Sequence, residues 1–165
     1  MKPVRKILTV AAVLTVVLSA AFVAAESDAL KSFGMLKGLE GNWSGTNLQG
    51  QPIDVSFRMT AGGSALMSEI DGRAENMITM FHLDGDRLLM THYCAAGNQP
   101  RMKVVSADAK SVSFEFMDGT NIAPGGGHMQ HVTFSQPDAD HQLEEWVYLD
   151  HGKEHKELFT LERVK

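Results

Sequence analysis

The chain has 165 residues, with 15 Lys and Arg against 20 Asp and Glu, a formal net charge of −5, and one cysteine. A single cysteine excludes an internal disulfide, so packing alone must hold the fold. The acidic balance argues against nucleic acid or an anionic membrane as partner, since both reward the opposite sign.

The N-terminal residues 1–25 read as a signal peptide. Lys2, Arg5 and Lys6 make a positive start, Ile7 to Val23 is almost wholly apolar, and Val23-Ala24-Ala25 offers small residues for cleavage near Ala25. The apolar stretch sits at the short limit for crossing a bilayer, which favours cleavage over a retained anchor. The remainder, 26–165, is then a single periplasmic or secreted domain with no stable membrane insertion. Loss of the three basic leader residues leaves twelve Lys and Arg against twenty Asp and Glu, a net of −8.

Ser27 can cap a short helix in which Ala29, Leu30, Phe33 and Leu36 recur near the helical period, with Gly34 and Gly38 holding it to two or three turns. Ten strand-like runs follow, over 41–48, 53–60, 65–71, 76–83, 86–94, 101–107, 111–117, 130–135, 142–149 and 156–164. Turn signals such as Asp71-Gly72, Asp84-Gly85 and Asp118-Gly119 separate them. Ten strands without intervening helices predict an all-β, antiparallel up-and-down β-barrel, because closure removes exposed edges. Val55, Phe57 and Met59 alternate with polar residues, as do Val112, Phe114 and Phe116, so each set should face inward. Between 65 and 94 both parities are apolar, which leaves the inward set open and asks for an outer cover. The helix and a second subunit in a homodimer are the two candidates. The segment 121–128, "NIAPGGGH", is expected to be a loop at a barrel mouth, since three glycines do not hold a strand interior.

The stretch "LKGLEGNWSG", a short helix followed by Gly41-Asn42-Trp43, resembles the opening of calycins, the superfamily of lipocalins, fatty-acid-binding proteins and nitrobindin-like barrels. In that superfamily the tryptophan closes one barrel end and packs on an arginine of the last strand. The resemblance assigns those roles to Trp43 and Arg163. The connection 49–52 is too short for the helical lid of fatty-acid-binding proteins, so a lidless ten-strand, nitrobindin-like barrel is the nearer likeness. The glycine-rich stretch ending in Tyr-Pro that follows the tryptophan in nitrobindins is missing from "GNWSGTNLQGQP". The block 82–102 resembles a stretch of exported bacterial proteins of this shape.

No catalytic or metal constellation emerges from spacing. His92 and Cys94 share a strand face about 6.5–7 Å apart along the backbone, whereas a thiolate–imidazole pair needs contact near 3 Å. His128 and His131, three apart on a strand, should face opposite ways; a two-residue turn at Asp84-Gly85 sends His82 and His92 to different faces, whereas a three-residue turn with a bulge would bring them to one. Glu144 and Glu145 are adjacent and so also diverge. Nine methionines remain after the leader, and such side chains suit a cavity for varied apolar ligands. The expectation is a binding barrel for a small hydrophobic or amphipathic molecule, lined by Met59, Met77, Met90, His92, Cys94, Arg101, Phe114 and Phe116. Arg58, Arg73 and Arg101 would meet a ligand carboxylate if they pointed inward. The alternatives are a haem-binding barrel with peroxidase-like or nitric-oxide chemistry, and an interaction module without ligand. An enzyme acting through Cys94 or His92 is a further alternative.

Overall fold

The computed structural model describes residues 27–72 and 76–165. The signal-peptide reading, over 1–25, and Arg73 lie outside the described residues.

Helix α1 (Asp28–Lys37) begins where the sequence places it, with the Ser27 hydroxyl accepting from the Leu30 amide at 3.2 Å. Ala29, Ser32, Phe33 and Leu36 form its buried face. Ten strands follow: β1 (Gly41–Thr46), β2 (Pro52–Thr60), β3 (Ala65–Gly72), β4 (Asn76–Asp84), β5 (Arg87–Tyr93), β6 (Gln99–Ala107), β7 (Ser111–Thr120), β8 (His128–Ser135), β9 (His141–Asp150) and β10 (Lys153–Arg163). Each strand pairs antiparallel with the next, and β1 pairs with β10, so the sheet closes into a barrel without edges.

Trp43 and Arg163 face each other in the β1–β10 register that closes the barrel. The guanidinium lies 4.1 Å from the indole centroid. Its fork also donates to the carbonyls of Gly38 at 2.9 Å, Glu40 at 2.7 Å and Ala139 at 2.8 Å. Trp43 Nε1 donates to the Leu39 carbonyl at 2.7 Å. One arginine thus ties the chain leaving α1 to the last strand, satisfying carbonyls at the end of the helix that lack intrahelical donors. α1 therefore caps the end of the barrel that carries the turns after β2, β4, β6 and β8. The opposite end carries the connections after β1, β3, β5, β7 and β9.

The open parity of 65–94 is settled by burial and register. Leu66, Ser68 and Ile70 face inward on β3, Met77, Thr79 and Phe81 on β4, and Leu88, Met90 and His92 on β5. The outward set includes Met67, against which Arg58 Nη2 lies at 3.5 Å from the sulfur, and the cross-strand pair Ile78 and Tyr93, which stay exposed.

Two local expectations are corrected. The β4–β5 turn is Gly85-Asp86 rather than Asp84-Gly85, because Asp84 pairs with Arg87. Register moves by one residue on each strand, which preserves parity, so His82 still faces out and His92 in. On β8, His128 pairs with Leu149 and His131 with Val147 across a bulge. The extra residue puts both histidines on one face, where regular alternation would separate them.

Candidate functional site

Polar side chains from two facing walls meet inside the barrel. On one wall Ser68, Thr79 and His92 occupy a single cross-strand row over β3, β4 and β5. All three are buried, and Thr79 Oγ1 lies 2.9 Å from His92 Nδ1. On the other wall, five strands around the ring from β4, Gln142, Glu144 and Trp146 alternate along the inward face of β9. Gln142 Nε2 donates to Glu144 Oε1 at 2.8 Å, and Trp146 Nε1 donates to Glu144 Oε2 at 2.9 Å. The walls touch where the His92 and Trp146 rings approach to 4.9 Å between centroids. The result is a polar seam across an apolar core.

Its electrostatics follow from desolvation. Burial pushes the Glu144 carboxyl up to about 7, with the hydrogen bonds from Trp146 and Gln142 pulling only partly the other way. Burial drives the His92 imidazole down to about 4, so it is neutral at pH 7. Among the described residues no Lys or Arg is buried, so nothing cationic from the chain offsets Glu144. Among those same residues four buried side-chain atoms have no hydrogen-bond partner, Ser68 Oγ, His92 Nε2 and Gln142 Oε1 on the seam and Asn98 Oδ1 outside it. Each such atom costs about 1–3 kcal/mol while it stays unpaired.

Aromatic rings fill the space around the seam. Phe134 lies 5.5 Å from Trp146, 5.3 Å from Phe81, 6.1 Å from Phe114 and 6.3 Å from Phe57, centroid to centroid. All four contacts are edge-on, an arrangement ring quadrupoles prefer. Phe134 and Phe159 are the cross-strand neighbours of Glu144 on β8 and β10.

Above the seam lies the mouth away from α1. Here Asn98 Nδ2 donates to the Gly127 carbonyl at 2.8 Å and joins the 94–98 turn to the 121–127 loop. The Tyr148 ring and hydroxyl pack so closely over Gly127 that any side chain there would have to displace them. Burial raises the Tyr148 hydroxyl, with the neighbouring Cys94 and Asp150 adding to the shift. The glycine-rich segment is therefore a loop at a mouth, as its sequence implies.

The expected lining residues spread along the barrel axis. Met90, His92 and Phe114 are fully buried in the interior. Met77 and Cys94 are half-buried at the open end, and the Phe116 ring lies tilted against that of His128, 4.2 Å between centroids. Met59 lies half-buried at the end of β2 nearest α1, its amide donating to Glu40 Oε1 at 3.0 Å. Arg101 faces outward and forms a two-pronged pair with Asp118 at 2.5 and 2.6 Å. Arg58 is likewise exposed. Spacing arguments passed over Ser68, Thr79, Gln142, Trp146 and Phe134. Glu144 and Glu145 do diverge, and Glu144 is the inward one. The shared parity of Gln142, Glu144, Trp146 and Tyr148 is the signal that points to it.

Among the described residues no three His, Cys, Asp or Glu side chains gather as a metal site. The His92 ring has Trp146 beside it, with Phe134 and then Phe81 beyond. A separate open cleft of about 840 Å³ lies between α1 and the ends of β5 and β6, bordered by Lys31, Met35, Arg87 and Val105. Two of its charges are met locally, Lys31 by Asp28 and Arg87 by Asp84. No protein-family model matches the chain, and no curated protein matches it.

Proposed function

We propose that this is an exported, calycin-like barrel that binds a small amphipathic molecule in its interior and does not transform it. The observation that carries the reading is the set of unpaired atoms on the seam, Ser68 Oγ, His92 Nε2 and Gln142 Oε1. Three orphaned polar atoms inside an aromatic core are a standing cost, and a ligand with a polar end and an apolar body repays it. The interlocked rings around the seam restrict the ligand to a small body.

Catalytic alternatives are less well supported. A nucleophilic Cys94 would need His92 as its base, and burial drives that imidazole down to about 4, where it is a poor proton acceptor. Native mass spectrometry of protein purified from its exported location tests the proposal, together with a melting-point screen of small alcohols, amines and acids. A retained molecule, or a probe that raises the melting point and is lost on Trp146→Phe with His92→Leu, is the expected result. No retained mass and no stabilising probe would sink it.

A further inference from the structure

We propose that the interior site is selective for a small organic amine, held as its ammonium between the Glu144 carboxylate and the Gln142 side-chain carbonyl. This rests on the interior-binding reading above and names the chemistry of the ligand's polar end. Neutral groups surround Glu144. Its own strand supplies Gln142 and Trp146, which give one neutral N–H bond to each carboxylate oxygen. The neighbouring strands supply Phe134 and Phe159. The other buried titratable side chain of the seam is His92, across the Trp146 ring, and it is neutral at pH 7.

A carboxylate so enclosed has donors but no counter-charge, and that is the deficit a ligand cation removes. Gln142 adds a second, independent indication. Its amide nitrogen is spent on Glu144, which leaves Oε1 as a buried acceptor with no partner among the described residues. An ammonium donates N–H bonds to both acceptors at once, and each carboxylate oxygen has lone pairs left after its present bond. The aromatic walls suit a cation as well, because ring faces attract positive charge when water is excluded. A ligand carboxylate or phosphate meets the reverse: Glu144 repels it, and no buried Lys or Arg among the described residues receives it.

The test compares isosteres. Binding of n-butylamine and of n-butanol to the full chain is measured at pH 8.5 by calorimetry and by melting-point shift. The expected result is at least tenfold tighter binding of the amine. In Glu144→Gln, where the side chain stays polar and of the same size, that preference should fall to near unity while butanol still binds. Gln142→Leu, which keeps the carboxylate, should lower the preference several-fold. Butanol binding with no preference for the amine overturns this inference and leaves the interior-binding reading standing. Binding of neither overturns both.

Discussion

Trp146 donates its indole N–H to Glu144 Oε2 at 2.9 Å while its ring rests on His92, 4.9 Å between centroids. This one side chain couples two buried titratable groups displaced in opposite directions, Glu144 up to about 7 and His92 down to about 4.

The pH dependence of stability should therefore hold two opposed slopes. Glu144, raised on folding, favours the fold when protonated, and that contribution is lost as pH rises from its unfolded value of 4.5 through about 7. His92, lowered on folding, favours the fold when neutral, and that contribution is lost as pH falls from 6.5 through about 4. The two oppose each other between pH 4.5 and 6.5. Urea midpoints of Glu144→Gln should rise with pH across that window, and those of His92→Leu should fall. At pH 8 the Glu144→Gln variant should be more stable than wild type by about 1–3 kcal/mol. Parallel slopes in the two variants would contradict the assignment.

Arg163→Ala should cost about 2–4 kcal/mol, because it removes the cation over Trp43 and leaves the Gly38, Glu40 and Ala139 carbonyls without this donor. Arg163→Lys should recover little, since one ammonium does not reproduce a planar fork reaching three carbonyls. Chemical denaturation of both variants checks this, and recovery of more than half the loss by lysine would refute it.

Phe134→Ala should be among the most damaging core changes, at about 3–5 kcal/mol. Its ring contacts Phe57, Phe81, Phe114 and Trp146, so its loss opens a void that several rings border at once. Phe134→Leu should cost less by filling part of that space. Near-ultraviolet circular dichroism, which reports the packing of Trp146, should weaken in step with stability.

Gly45→Ala tests barrel closure. The added methyl would fall on the Thr160 backbone, a contact that no rotation of a side chain relieves. Pairing of β1 with β10 should be disrupted, with a loss of about 2–4 kcal/mol in denaturant melts and faster amide exchange at Leu161. Substitution at Arg101, which pairs with Asp118 on the outer face, should leave interior binding unchanged in the same calorimetric assay.

Much of the architecture was legible because its signals are local. The Ser27 cap, the turn residues between short apolar runs, and the alternation of Val55 with Phe57 or Val112 with Phe114 depend on neighbours two to four residues away. Predicted and observed strands differ mostly at their ends, as for β6, which starts at Gln99 rather than 101. The pairing of Trp43 with Arg163 was legible as well, through the resemblance to calycins.

The site was not legible, for a different reason. On β3 to β5 the outward Met67, Ile78, Met80 and Leu89 are as apolar as the inward residues, while two inward positions are Ser68 and Thr79. Period-two patterning cannot then say which face is the core. Likewise the bulge on β8 and the one-residue shift of the β4–β5 turn are decided by pairing across strands. The amino-acid order by itself determined a ten-strand antiparallel barrel preceded by a short helix. Only the tertiary structure decided that His92 and Glu144, on strands far apart in sequence, share one water-poor interior. There desolvation, a property of the surroundings and not of the residue, makes a neutral imidazole and a reluctant carboxylate out of ordinary side chains.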